Sequence, residues 1–205
     1  YNIKDMSKLK FDSTSSIKGV LFQFLIALER CFKMQEGQSI YIETYGDVSV
    51  LGSLFDSKQI ESKFYKKALT DSDKNVWKSI YNWMREDFPL DMFSSLVLLT
   101  TQKVSIDSAW LNWNSKTTTE RMDVLRNIKK NFDLQKRKNK DLATCMNIIF
   151  DTKNATRLSQ IAKMLYIDSI SMDGNQYHKY LQEKYGKNIP DIQKGRFISH
   201  MFGYI

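Results

Sequence analysis

The chain has 205 residues, enough for one domain with a substantial hydrophobic core. Its formal net charge of +8 favours an anionic partner such as a nucleic acid or a membrane surface, although basic proteins that bind neither are also common. No apolar run approaches the length of a membrane span, and the presence of only two histidines argues against zinc sites and histidine-dependent catalysis.

The first third of the chain contains one predicted helix followed by three short predicted strands. Helical spacing of apolar residues predicts a largely buried helix over residues 17–35. Strands are predicted at Ser39–Glu43, at Asp47–Leu51 and from about Lys58 to Tyr65. The second and third strands are joined by a tight turn through Gly52, so we expect them to be neighbours in a sheet.

The next segment predicts a crossover between parallel strands. A helix is predicted from the cap at Thr70–Asp73 to the vicinity of Phe88 and Pro89, because the residue before a proline avoids helical dihedral angles. The apolar run Ser95–Thr101 predicts a strand buried on both faces and parallel to the strand that contains Glu61. Beyond it, helices are predicted at 117–132, 142–150, 158–165, 177–185 and 197–205, with a strand at 166–171.

These elements predict an α/β (α+β) fold, in which a small mixed β-sheet is flanked by helices and followed by a mostly helical C-terminal part. We expect one domain over residues 1–205, with its core at about 17–101 and a helical extension at about 115–205. The chain begins with Tyr1 rather than Met, so we expect it to be the ordered part of a longer polypeptide.

Cysteine usage indicates a reducing compartment. Cys31 and Cys145 each lie among apolar residues, and no Cys/His cluster has the spacing of metal ligands. Two buried thiols in a reduced, cytoplasmic protein are therefore the favoured interpretation, with a single disulfide as the alternative.

Three charged residues lie on the predicted strands and form a candidate site. Side chains alternate along a strand, so Glu61 and Lys63 point to one face while Ile60 and Ser62 point to the other. Asp47 converges with them if its strand is their neighbour. Tyr45-Gly46-Asp47 is either a bend or a continuation of the first strand, and in the second case Glu43 shares a face with Asp47. Two acids and a lysine on one face suit a hard divalent cation and a phosphodiester.

Four short motifs occur in a familiar order. They are Gly19-Val20-Leu21-Phe22-Gln23 in the first helix, Glu43 with Asp47-Val48, the Glu61-Ser62-Lys63 triplet, and Trp77 and Trp83 followed by Leu98-Leu99-Thr100-Thr101. In this order the chain resembles the restriction-endonuclease-like PD-(D/E)xK nucleases. More narrowly, it resembles the double-stranded-DNA endonuclease effectors of bacterial anti-phage systems associated with cyclic-oligonucleotide signalling. The resemblance covers roughly residues 17–101. The family's catalytic strand often reads Gln-x-Lys, where this chain has Glu61-Ser62-Lys63.

The resemblance implies a Mg²⁺-dependent endonuclease, with Mn²⁺ as an alternative ion, that cleaves double-stranded DNA. Asp47 and Glu61, with a backbone carbonyl near Ser62, would hold the metal, and Lys63 would orient or deprotonate the attacking water. Gln23 and Glu43 are further candidates for positioning water or metal. The resemblance also implies a sensor or ATPase module in the same chain or complex, a homo-oligomer when active, and no membrane partner.

A basic cluster provides candidate phosphate contacts. Its members are Arg126, Lys129, Lys130, Lys136, Arg137, Lys138 and Lys140. Nucleic-acid affinity from such residues falls steeply with salt, but a solvated helix end and loop explains the cluster equally well. Each motif is weak by itself, because Glu-x-Lys is usually a solvated pair on a strand and a single Gln is usually a surface amide. The alternatives are therefore a catalytically inactive nuclease-like module that binds nucleic acid or a protein, and a helical scaffold.

Overall fold

The computed structural model describes residues 14–53, 56–135, 139–170 and 172–203. Within these ranges a five-stranded mixed sheet has the spatial order of its sequence. The strands are β1 (Ser39–Ile42), β2 (Val48–Leu51), β3 (Lys58–Lys63), β4 (Ser95–Thr100) and β5 (Leu165–Ser169). β1, β2 and β3 pair antiparallel, whereas β3, β4 and β5 pair parallel. The predicted parallel pairing of the third and fourth strands is thus confirmed.

Seven α-helices in the described part of the chain cover the two faces of this sheet. They are α1 (Thr14–Lys33), α2 (Lys74–Met84), α3 (Thr118–Asp133), α4 (Lys140–Ile149), α5 (Ala155–Met164), α6 (Gly174–Tyr185) and α7 (Asp191–Phe202). The predicted α/β fold class, with a helical C-terminal part, is confirmed. β5 lies within that later part, so the predicted core and extension contribute strands to one sheet.

Alternate residues of β4 divide the hydrophobic core into two clusters. Leu96 and Leu98 pack with buried residues of α2 to α5, whereas Leu99 packs with buried residues of α1, α6 and α7. Successive side chains of a strand point to opposite faces, so this apolar run buries both of its faces, as predicted. The sheet is therefore the middle of three layers.

Other features differ from the predictions. α2 ends at Met84, earlier than the predicted end near Phe88, and Arg85 is extended. The guanidinium of Arg157 on α5 donates hydrogen bonds of 2.8–3.1 Å to the carbonyl oxygen of Trp83 in the last turn of α2 and to those of Arg85 and Phe88 beyond it. Cys31 and Cys145 are free, so no disulfide joins them, and both are half-buried rather than buried. None of the described helices has both the length and the apolarity needed to cross a membrane.

Arg121 connects three segments beside β5. Its buried guanidinium donates hydrogen bonds to the carbonyl oxygens of Trp113 and Asn114. It also donates to the carbonyl oxygens at the end of α5 and the start of β5, which a helix terminus would otherwise leave without partners. The charge further stacks on the rings of Trp113 and Tyr166. One side chain thus fixes where the last strand begins.

We expect Arg121→Met to lower the free energy of unfolding by about 2–3 kcal/mol, because the carbonyl oxygens of Asn114, Ala162 and Lys163 would lose the donor that Arg121 supplies. Urea unfolding measures this effect. Arg126→Met on the same helix is the matched control, since Arg126 is exposed and pairs with Asp123, and it should change stability by less than about 0.5 kcal/mol. Equal losses in both variants would contradict the role of Arg121.

Candidate active site

The structure brings the predicted charged triad together at the carboxyl end of β3. Lys63 Nζ donates a hydrogen bond to Glu61 Oε2 at 2.9 Å and lies 4.0 Å from Asp47 Oδ2. The side chains of Lys63 and Asp47 are 19% and 24% exposed, whereas that of Glu61 is 7% exposed. The site is therefore a nearly buried acid beside a lysine and a second acid that both reach solvent. The catalytic roles of the three remain predictions.

Asp47 is held by the backbone and side chain of Ser62. The Ser62 backbone N–H and hydroxyl both donate to Asp47 Oδ2, at 2.8 and 2.9 Å. Asp47 directly precedes Val48, which pairs with Ile60, so Asp47 lies alongside the continuing edge of β3. Because Asp47 lies beside β3, it is within reach of Ser62. Strand alternation alone would direct the Ser62 side chain away from the face that carries Glu61.

Gln23 and Glu43 support the loop that carries Asp47. β1 ends at Ile42, so Glu43, with a positive φ of 57°, lies outside the strand that was predicted to include it. Residues 43–47 form bends, so the bend interpretation of Tyr45–Asp47 is confirmed and strand continuation is wrong. Gln23 Nε2 donates to Glu43 Oε1 at 2.9 Å and to the Asp47 carbonyl at 2.7 Å. The Glu43 N–H donates to the same carbonyl. Both predicted residues therefore hold the backbone of the loop.

Burial and charge shift the pKa of the central groups. Burial, together with the charge of Asp47, raises the pKa of the Glu61 carboxyl above its usual value despite the opposing effect of Lys63. Burial by itself would lower the pKa of Lys63, but the Glu61 and Asp47 carboxylates outweigh it and raise that pKa. Lys63 is therefore a cation at neutral pH.

The residues present fit a hard divalent cation. Among the described residues no group of three or more His, Cys, Asp or Glu is arranged to hold a metal ion, so such an ion would rest on two carboxylates. Mg²⁺ commonly uses one or two carboxylates and completes its shell with water and phosphate oxygens. Asp47 and Glu61 supply oxygen donors of this kind, and with both ionised Lys63 neutralises only one of their two charges.

A groove of about 510 Å³ leads to Glu61. Thr44, Tyr45 and Gly46 form one wall, and residues 82, 83, 85 and 87–89 at the end of α2 form the other. The early end of α2 therefore creates this second wall. Of the charged triad only Glu61 lines this groove. The side chains of Asp47 and Lys63 are partly exposed to solvent.

Three further residues contact this site and were not predicted. Trp83 Nε1 donates to Gln59 Oε1 at 2.6 Å, and Gln59 Nε2 donates to Glu61 Oε1 at 3.3 Å. Gly46 has a positive φ of 109° and passes close to both side chains. The sequence contains a signal for Gln59, because it lies two residues before Glu61 and therefore on the same strand face.

The predicted basic cluster is only partly described. Lys136, Arg137 and Lys138 lie outside the described residues. Arg126 and Lys129 form ion pairs with Asp123 and Asp133 on their own helix. Lys130 and Lys140 are exposed. Two of the four described cations thus have acidic partners, which reduces the positive potential of the cluster.

We expect Glu61→Gln to change how stability depends on pH in metal-free buffer. Folding raises the pKa of the Glu61 carboxyl, so its contribution is present below the unfolded pKa and is lost as pH rises through the folded pKa. As pH rises above the unfolded value of about 4.3, the wild type should therefore lose stability relative to E61Q, as measured by urea unfolding.

Glu120→Gln provides a control of opposite sign. The N–H and hydroxyl of Thr117 lower the pKa of the exposed Glu120 carboxyl, so its contribution is present at neutral pH and is lost on acidification. A wild type that gains stability relative to E61Q as pH rises would contradict the expectation for Glu61.

We expect Gly46→Ala to destabilise the protein by more than about 1 kcal/mol, because its φ is positive and the added methyl group would lie 2.3 Å from Gln59 Nε2. Gly19→Ala is the control. Gly19 lies in α1 with nothing within 4 Å of an added methyl group, so this change should stabilise by about 0.5–1 kcal/mol. Thermal unfolding of both variants tests the contrast, and a neutral Gly46→Ala would refute the crowding at this loop.

Comparisons with known proteins give a likeness of fold. No protein-family model matches the chain, and no curated protein matches it. Among solved structures, a Moraxella osloensis Cap4 receptor containing a SAVED/CARF domain superposes with a TM-score of 0.50 and 17% sequence identity. The match covers 90% of this chain and 42% of that one, so the chain spans less than half the length of this structural neighbour.

Proposed function

We propose that this chain is a metal-dependent endonuclease domain of the PD-(D/E)xK type that cleaves double-stranded DNA. The observation that carries the proposal is the convergence of Asp47, Glu61 and Lys63 at the end of β3, with Lys63 Nζ within 4.0 Å of both carboxylates. The three come from two neighbouring strand segments of a mixed sheet, in the order expected from the family resemblance.

The residues have distinct roles in this proposal. Asp47 and Glu61, with the Ser62 carbonyl, would hold Mg²⁺ or Mn²⁺. A divalent ion bound there activates water and offsets charge on the phosphate oxygens. In the metal-free site the Glu61 and Asp47 carboxylates raise the pKa of Lys63 and favour its ammonium form. Its ammonium orients the attacking water and stabilises negative charge that develops in the transition state.

Gln23 and Glu43 act on the loop rather than on the reacting atoms. Their hydrogen bonds close residues 43–47 into a bend and fix the Asp47 backbone. A left-handed conformation at a non-glycine residue costs about 1–3 kcal/mol and is retained where the surroundings enforce it. In this proposal the Gln23 amide offsets that cost, so Asp47 is already placed when the metal binds.

A role in anti-phage defence follows as a further part of the proposal. The fold likeness to a Cap4 receptor supports it, together with the motif order in residues 17–101. In this context the domain works with a sensor or ATPase module in the same chain or complex. Cleavage of both DNA strands commonly uses two active sites, so we propose a homo-oligomer as the active form.

The second candidate function is an inactive nuclease-like module that binds DNA or a partner protein. The net charge of +8 and the exposed Lys130 and Lys140 favour nucleic-acid binding independently of the acids. Binding of this kind weakens steeply with salt and needs no divalent ion. The two functions therefore differ in their dependence on magnesium and on Lys63.

We expect the wild type to cut plasmid DNA with Mg²⁺ or Mn²⁺ and to be inactive in EDTA. Lys63→Ala should lower the cleavage rate about 100- to 1,000-fold, because one preorganised donor to the developing charge is lost. Product analysis on agarose gels and single-turnover kinetics measure the effect. The far-ultraviolet circular dichroism spectrum should not change.

Lys58→Ala is the matched control, because Lys58 starts the same strand at its opposite end and is exposed. It should cleave like the wild type. Full activity of Lys63→Ala would remove the mechanism. DNA binding by a wild type that never cleaves, measured by gel shift at graded salt, would favour the second candidate.

A further inference from the structure

The two oxygens of Glu61 have different partners. Oε2 accepts a hydrogen bond from Lys63 Nζ at 2.9 Å, and Oε1 accepts one from Gln59 Nε2 at 3.3 Å. The Gln59 side chain is completely buried and accepts a hydrogen bond at Oε1 from Trp83 Nε1 at 2.6 Å. A relay of two hydrogen bonds therefore extends from Trp83 on α2 through Gln59 to Glu61.

The chemistry of Trp83 and Glu61 allows the hydrogen bonds of this relay to run in only one direction, from the indole to the carboxylate. An indole N–H can only donate, and an ionised carboxylate can only accept. The amide of Gln59 satisfies both neighbours in one orientation, with its oxygen towards Trp83 and its nitrogen towards Glu61. The opposite orientation would place NH₂ against an N–H group and oxygen against a carboxylate. Trp83 thus makes Gln59 a fixed donor to Glu61.

The loop before β2 leaves room for the relay. A methyl group at Gly46 would lie 2.3 Å from Gln59 Nε2 and 3.0 Å from Glu61 Oε1. The backbone there therefore approaches the junction of the two side chains more closely than any other residue type permits. Together with Trp83, which is 1% exposed, it encloses the amide and excludes water as a competing partner.

We propose that Gln59 and Trp83 are positioning residues, in which Trp83 fixes the Gln59 amide and the amide fixes the Glu61 carboxylate in its cation-binding orientation. This inference rests on the proposed metal-dependent function. The terminal torsion of a glutamate is soft, so a carboxylate whose orientation is already fixed by hydrogen bonds loses less freedom when an ion binds. Partners of metal-binding side chains typically contribute roughly 10- to 100-fold to metal affinity or activity.

Trp83→Phe tests the relay because it removes the indole N–H and retains an aromatic ring. Trp77→Phe is the matched control. Trp77 is also buried on α2, and its indole N–H donates to the Asp71 carbonyl instead of to the relay. Both variants lose one indole hydrogen bond, which is buried for Trp83 and partly buried for Trp77, together with similar packing. Gln59→Met removes the amide itself at similar side-chain length.

The first measurement needs no enzymatic activity. In ¹⁵N NMR spectra of the metal-free wild type, the Gln59 side-chain amide, identified by its loss in Gln59→Met, should exchange slowly with solvent. Trp83→Phe should make that exchange fast, whereas Trp77→Phe should leave it slow. A slowly exchanging Gln59 amide in Trp83→Phe would overturn the relay, whether or not the protein is a nuclease.

The second measurement is Mn²⁺ binding to the full chain, followed by electron paramagnetic resonance. Trp83→Phe and Gln59→Met should weaken binding roughly 10-fold or more and lower kcat with little change in KM for DNA. Trp77→Phe should match the wild type. Equal effects of Trp77→Phe and Trp83→Phe, or no effect of either, would overturn the positioning role.

The two proposals fail in distinguishable ways. A wild type that neither binds Mn²⁺ nor cuts DNA overturns the proposed function, and with it the positioning of a metal-binding Glu61. A wild type that binds and cuts while Trp83→Phe and Gln59→Met do the same overturns the relay and leaves the function standing.

Discussion

The site is organised around the need to keep a buried carboxylate stable beside a second carboxylate. Glu61 is 5% exposed, and an isolated charge at such a depth is costly. Lys63, two residues later, supplies the compensating charge on the same strand face. Gln59, two residues earlier, supplies a hydrogen bond to the other oxygen. A six-residue strand with polar groups at every second position therefore contains both the acid and its stabilising partners.

The elements around β3 leave the strand face that carries Glu61 partly open to solvent. β3 lies third among five strands, and its Ile60 packs under α1, α6 and α7 on the opposite face. On the face of Glu61, α2 covers Gln59 through Trp83 and then stops, so the groove begins where the helix ends. Antiparallel pairing of β2 with β3 brings the loop of Asp47 to the same place. Buried core and accessible acid thus share one strand.

Local patterns were sufficient to predict most of the elements and the proximity of Asp47, Glu61 and Lys63. Period-two alternation predicted that Glu61 and Lys63 share a strand face. The apolar run of β4 predicted that both faces of this strand are buried. The features that the sequence did not predict depend on contacts between residues far apart in the chain. The carbonyl oxygens around the early end of α2 are bound by Arg157, and the relay depends on Trp83 facing Gln59, 24 residues away. The bend at Glu43 depends on Gln23, 20 residues earlier, and neither local propensity nor spacing encodes such contacts.

The hydrogen bonds of Arg157 join parts of the chain that are synthesised at different times. Its guanidinium holds carbonyl oxygens of Trp83, Arg85 and Phe88, which lie 74, 72 and 69 residues earlier in the chain. When Asp47, Glu61 and Lys63 have been synthesised, Arg157, which binds the second wall of the groove, has not yet been added to the chain. During translation the nascent polypeptide therefore contains the charged groups before it contains Arg157, and a chain that terminates before α5 lacks these three hydrogen bonds.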